Sequence, residues 1–223
     1  MSCILSIETS TNICSVAMSN DGECIFNQEN HQGPNHNEIL GTFIDEALTF
    51  IDTRNIKLDA VAVSSGPGSY TGLRIGTSMA KGICYGRDAK LIAVPTLELL
   101  AVPVLLGEQV AEDDALLVPM LDARRMEVYA QVLDRALKEV RGIQADVVTA
   151  DTYREFLDAH EVYFFGNGAA KCMDTIAHPH AHLIKDIMPL AEKRLAEGRV
   201  EDVAYFVPFY LKDFVAKTPK KLI

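Results

Sequence analysis

The sequence holds no C-x-x-C pair, no apolar run of membrane-spanning length and too few basic residues to balance its acids. Its five cysteines, Cys3, Cys14, Cys24, Cys84 and Cys172, are scattered and odd in number. That argues against a zinc ribbon or a disulfide framework and predicts buried thiols in a reducing compartment. The longest uncharged apolar run, 99–106, is broken by Pro103 and falls far short of the ~20 residues a membrane span needs. No secretory leader is expected either, because the apolar run from Cys3 to Ile7 stops at Glu8. A cytoplasmic protein with no membrane association is therefore expected. Lysine and arginine number 21 against 31 aspartates and glutamates, a net charge of −10. That balance repels a nucleic-acid backbone and disfavours a stand-alone RNA or DNA binder. The one basic cluster, Lys217, Lys220 and Lys221, reads as a solvated tail.

What is present is a chain of 223 residues, 48% of them hydrophobic, enough to bury a core. Ile4 to Glu8, Ile13 to Ser19 and Glu23 to Asn30 read as three strands joined by the turns Thr9–Asn12 and Asn20–Gly22. Glu38 to Ile51 repeats its apolar residues at helical spacing, with Asn35 or Asn37 placed to cap it. A strand at Ala60 to Val63, a helix at Leu73 to Tyr85, a strand at Leu91 to Val94 and a short helix from Leu97 to the brake at Pro103 follow. The acidic stretch Gly107 to Asp114 reads as a boundary. Beyond it a second meander is expected, with strands at Leu116–Leu121, Glu127–Leu133 and within Arg135–Val148. Shorter segments then alternate at Thr152–Asp158, Val162–Phe165 and Pro189–Glu197. A meander opening each half predicts a duplicated α/β unit, residues 1–106 and 107–223.

Among local motifs, Ser64 to Gly76 (S-S-G-P-G-S-Y-T-G-L-R-I-G) is the strongest. It fails as a P-loop, because Leu73 and Arg74 follow Gly72, and as a dinucleotide fingerprint, because Thr71 stands where glycine is needed. Gly72, Gly76 and Ala80 are four apart, so one helix face is nearly bare and admits close packing. Glu8-Thr9-Ser10-Thr11 could position a phosphate and its magnesium, or simply close a hydroxyl-rich hairpin. His31 and His36 are five apart, not the spacing that puts two ligands on one helix face. His178, His180 and His182 alternate, and read as an exposed loop without a nearby acid. Asp122-Ala123-Arg124-Arg125 sets two arginines at a hairpin, where they could grip a phosphate or a carboxylate, or close a salt-bridged turn. Gly166 and Gly168 end a strand and could face a nucleotide, or serve a turn.

In this order the motifs become specific. I-E-T-S at 7–10, H-N-E at 36–38, the glycine run at 65–76, A-K-G at 80–82, V-P-T-L-E at 94–98, D-A-R-R-x-E-V-Y at 122–129 and P-F-Y-L-K at 208–212 together resemble the bacterial TsaB family, formerly YeaZ. Tyr70 and Asn37 depart mildly from its usual Phe and Ser. The resemblance implies an actin-like ATPase fold of two ribonuclease-H-like lobes. It also implies a part in forming threonylcarbamoyladenosine beside the tRNA anticodon, where a TsaD-type paralogue performs the transfer and a TsaE-type ATPase joins it. The paralogue's metal-binding histidine pair aligns with Thr96 and Leu100, so no bound metal and no activity alone are expected. ATP or ADP is expected only at a shared interface, tRNA only through the complex, and a homodimer when the chain is isolated. The expected partner surface comprises Ile39 and Phe43 on one helix and Gly72, Arg74, Gly76 and Ala80 on the next. The rival is an autonomous actin-like ATPase or phosphotransferase that uses Glu8, Thr9 and Ser10 as its phosphate hairpin with Gly166 and Gly168 near the adenine.

Overall fold

A computed structural model of the chain describes residues 2–31, 33, 35–106 and 109–184. The predicted helix at 189–197, the lysine cluster and the P-F-Y-L-K segment lie outside the described residues. Two five-stranded sheets form the frame. In the first, β1 (Cys3–Glu8), β2 (Cys14–Asn20) and β3 (Glu23–Asn30) make an antiparallel meander, and β4 (Ala60–Ser64) and β5 (Lys90–Val94) run parallel to β1, in the order β3-β2-β1-β4-β5. The second sheet repeats the plan. β6 (Leu116–Asp122), β7 (Glu127–Leu133) and β8 (Glu139–Val147) are antiparallel, and β9 (Val162–Phe165) and β10 (Ala181–Ile184) run parallel to β6, in the order β10-β9-β6-β7-β8. The duplicated ribonuclease-H-like topology is thus visible strand for strand.

Burial explains the sequence patterns. β2 alternates buried Cys14, Val16 and Met18 with half-exposed residues, the mark of a strand with one covered face. The cover is α1 (His36–Asp52), which turns Leu40, Ile44, Ala47 and Ile51 inward at helical spacing, and α2 (Tyr70–Arg87), which contributes Ala80 and Cys84. Asn35 occupies the α1 cap position, but its side chain makes no capping bond. Helix α2 begins three residues before its predicted start, because Ser69 Oγ accepts a hydrogen bond from Gly72 N at 3.2 Å and caps it.

Helix α3 (Thr96–Leu106) runs through Pro103 instead of stopping there. Burial on two sides outweighs the lost backbone bond. Leu99 packs against Ile4, Ala62 and Val94 of the first sheet, while Ala101 and Val104 pack against Leu117 and Phe165 of the second. The last described elements are short: α4 (Arg154–Leu157), a 3-10 turn (Ala170–Cys172) and α5 (Met173–Ile176). The histidine segment is no loop at its end. His182 lies in β10, and its ring stacks on Tyr163 with centroids 4.7 Å apart. The nearby acid is Glu161, brought alongside by strand pairing; its carboxylate lies 2.5 Å from both His180 Nδ1 and His182 Nε2. No helix among the described residues is long and apolar enough to cross a membrane.

Candidate functional site

The glycine-rich run and the first hairpin form one packed unit. Thr9 is fully buried, and its hydroxyl donates to the Gly72 carbonyl at 2.8 Å. Ser69 N donates to the Ser10 carbonyl at 2.6 Å. A Cβ at Gly68 would lie 2.5 Å from that same carbonyl, and a Cβ at Gly72 or Gly76 would fall within 3.0 Å of a Thr9 oxygen. The bare stripe of α2 therefore exists so that the β1–β2 hairpin can lie against it. This corrects half of the expected partner surface. Gly72, Gly76 and Ala80 face the chain's own hairpin and sheet and are buried.

Ile39 and Phe43 are half-buried at the outer edge of α1, and Arg74 is exposed, with its guanidinium 3.3 Å from the Tyr70 hydroxyl. The outward surface of α2 carries a second stripe that sequence spacing shows equally well: Ser78, Gly82 and Gly86, four apart. A Cβ at Gly82 or Gly86 would meet nothing within 4 Å. Half-buried Ile75, Met79 and Ile83 flank it, and Tyr85 stands 88% exposed. Together with Ile39 and Phe43 these residues give α1 and α2 partly exposed apolar edges and one projecting aromatic, Tyr85, beside an open glycine track.

On the opposite face of the first sheet, a cavity of about 380 Å³ is lined by Glu8, Ser6, Ser15, Ser64, Ala62 and Leu99, among others. Glu8 Oε1 accepts hydrogen bonds from Ser10 N at 2.6 Å and from Ser64 Oγ at 3.1 Å, whereas Oε2 is buried without a partner. Burial pushes the Glu8 carboxyl above its ordinary range, against the lowering effect of the Ser10 and Ser64 bonds and of the His36 field. The proposed phosphate hairpin is not assembled. Thr9 points away into α2, and the Ser10 amide that would meet an anion is held by a carboxylate. Gly166 and Gly168 are not among the cavity-lining residues; Cβ atoms there would strike Met120 and Leu121 backbone in β6. The absence of a side chain at both positions lets the β9 end pack closely on β6.

A family model described as "TsaD: tRNA N6-adenosine threonylcarbamoyltransferase" matches residues 25–156, more than half of the chain. The tRNA threonylcarbamoyladenosine biosynthesis protein TsaB of Escherichia coli (strain K12) is 29% identical over 237 residues, which span 98% of this chain and 99% of the relative. The TsaB protein of Haemophilus influenzae is 36% identical over 126 residues, covering 56% of this chain and 51% of the relative. The chain belongs to this family, in its TsaB (YeaZ) branch. The solved structure of YeaZ from Pseudomonas aeruginosa shares the fold at a TM-score of 0.69 and 22% identity, covering 95% of this chain and all of that one.

Two further places matter for a TsaB-family chain. At the positions aligned with the paralogue's histidine pair, Thr96 is buried with its hydroxyl accepting from Gly66 N at 3.2 Å, and Leu100 lies against Gly166. An engaged hydroxyl and an aliphatic chain are poor ligands for a borderline metal. Among the described residues no three His, Cys, Asp or Glu side chains converge to hold one. At the β6–β7 hairpin the salt bridge is made by a residue that motif reading missed. Lys171 Nζ donates to Asp122 Oδ1 at 2.5 Å, to the Arg125 carbonyl at 2.7 Å and to the Glu127 carbonyl at 2.8 Å. Lys171 and Asp122 are 49 residues apart, and only the pairing of β6 with β9 brings them together.

Proposed function

We propose that this chain is the non-catalytic scaffold that dimerises with a TsaD-type transferase while threonylcarbamoyladenosine is formed beside the tRNA anticodon. The observation that carries the reading is the outer surface of α1 and α2. Ile39, Phe43, Ile75, Met79 and Ile83 pack on the first-sheet core with a smaller part of each side chain left exposed, Tyr85 projects into solvent, and Gly82 and Gly86 let a partner helix approach the backbone. Such a surface is a site for another protein. A paralogue of the same fold presents a pseudo-equivalent helix pair, so the same surface joins two copies of this chain when the partner is absent. A TsaE-type ATPase completes the assembly, and tRNA is met only by the assembly.

The chain chemistry supports a non-catalytic role. Glu8 accepts from the hairpin amide of Ser10 that an ATPase of this fold would present to phosphate, so that donor is already engaged within the chain. Nucleotide, where it acts, lies at an interface shared with the partner. The test is complex formation on a sizing column with a TsaD-type partner. Gly82→Gln, a bulky helix-forming change on the open track, is expected to leave the fold intact and to abolish both heterodimer and homodimer. A Gly82→Gln chain that pairs normally overturns the surface assignment.

A further inference from the structure

The described chain contains eight arginines, and six of them are engaged within it. Arg54 caps the Phe50 carbonyl and ring, Arg74 meets Tyr70, and Arg87, Arg135, Arg141 and Arg154 pair with Asp52, Asp113, Asp146 and Asp151. Arg124 and Arg125 differ. Both are exposed, and neither guanidinium has a hydrogen bond or an ion pair among the described residues, although Arg124 adds to the field on Asp122. This is unexpected in a chain of net charge −10, where acids are plentiful.

The turn that carries them is built to be held. Both residues adopt left-handed backbone conformations, φ 73° and 51°, which side chains other than glycine, asparagine and aspartate avoid. Asp122 Oδ1 accepts from Arg124 N at 2.9 Å, and Lys171 grips the Arg125 and Glu127 carbonyls. The Asp122 backbone N–H donates in turn to Asn167 Oδ1 at 2.9 Å. Asparagine and glycine would sit in this backbone more easily, so packing does not account for two arginines. Lys171 neutralises Asp122 from below and holds its carboxyl below the usual carboxylate range. The acid therefore has its own cation, and the guanidiniums are left for an outside anion.

We infer that Arg124 and Arg125 form the point at which this chain touches the sugar–phosphate backbone of the RNA bound by the assembly. The inference rests on the scaffold reading above. Guanidiniums suit phosphodiesters, each offering a planar fork of donors that never loses its charge. Two such contacts in an otherwise acidic chain are too few to bind RNA alone, but they add to an RNA held mainly by a partner. The turn also belongs to the second sheet, whereas the apolar partner surface belongs to α1 and α2, so both contacts can be made at once.

The test replaces the pair by the residues the backbone prefers, Arg124→Asn with Arg125→Gly, in the chain reconstituted with its TsaD-type partner and the TsaE-type ATPase. An unmodified tRNA transcript is the probe. The fold is expected to survive with an unchanged or higher melting temperature, because both substitutes accept positive φ. Affinity between the two proteins and kcat are expected to stay at the wild-type level. The KM for tRNA is expected to rise about tenfold or more. The dependence of log affinity on log salt is expected to flatten by about 0.7–0.9 for each lost contact. An unchanged KM and salt slope overturn the inference and leave the scaffold reading standing. Weakened pairing with the transferase at unchanged tRNA affinity also overturns it, and assigns the arginines to a protein carboxylate instead. If the wild-type chain gives no modification with both partners present, both readings fall together.

Discussion

Adding one methyl group to each of two α2 glycines distinguishes the inner stripe of that helix from the outer one. At Gly72 the new Cβ lands on the Thr9 carbonyl, a backbone atom of a fully buried residue. The carbonyl cannot rotate away, since the Ser69 N to Ser10 O bond fixes the next residue. Forcing a methyl into a packed site costs about 1–3 kcal/mol. Stretching the Thr9 hydroxyl bond to the Gly72 carbonyl costs about 1 kcal/mol more. The gain in helix propensity is at most about 1 kcal/mol and is smaller in a first turn. Gly72→Ala is therefore expected to lose about 1–3 kcal/mol. In a chain of this size that lowers Tm by roughly 3–10 °C. At Gly82 the same methyl meets nothing within 4 Å, so only the propensity gain remains, about 0.5–1 kcal/mol. Differential scanning calorimetry of Gly72→Ala and Gly82→Ala is the assay, at a concentration where dimerisation is accounted for. If both changes raise Tm equally, the hairpin does not lie on the Gly72 stripe, and the assignment of inner and outer surfaces is wrong.

Other outcomes follow from buried groups. Asp146 accepts from the Tyr153 hydroxyl at 2.6 Å and pairs with Arg141 at 2.5 Å; Asp146→Ala strands both partners and is expected to cost about 3–5 kcal/mol in a denaturant melt. A loss below 1 kcal/mol shows that the triangle is solvated. Burial pushes the Cys3, Cys14 and Cys84 thiols up to about 11 and raises that of Cys172, while Cys24 is exposed. A thiol reagent is expected to label one cysteine quickly in the native chain and all five after denaturation; two or more fast native thiols contradict the packing. Glu8 has a folded-state pKa above its unfolded value, so the folded chain holds that proton more tightly. Its ionisation then costs stability as pH rises from the unfolded pKa through the folded one. Glu8→Gln, which keeps the acceptor for Ser10 and Ser64, is expected to be more stable than the parent at neutral pH, with the difference shrinking towards pH 4.5, the ordinary value for glutamate. A difference that does not vary with pH places Glu8 in water.

Much of this arrangement was legible because strands and helices repeat with different periods. The alternation in 14–18 and the spacing of Leu40, Ile44, Ala47 and Ile51 each specify one buried side. The repeated meander likewise announced two sheets of one topology. The glycines of α2 were ambiguous for a physical reason. Both the 72/76/80 and the 78/82/86 stripes are four apart, and spacing alone does not say which one meets the sheet. Thr9 decides it, from 63 residues away. A lone proline disfavours helix, so Pro103 reads as a stop in sequence; burial of α3 against both sheets reverses that preference. The hairpin arginines suggested a salt-bridged turn, but the bridging cation is Lys171. His180 and His182 likewise meet Glu161 only through strand pairing.

The most direct test of the scaffold account is threonylcarbamoyladenosine formation on an unmodified tRNA by a TsaD-type transferase and a TsaE-type ATPase, with and without this chain. The account predicts modification only when the chain is present, none from the chain alone, and loss of stimulation with Gly82→Gln. Equal modification without the chain, or modification by the chain alone, would contradict it.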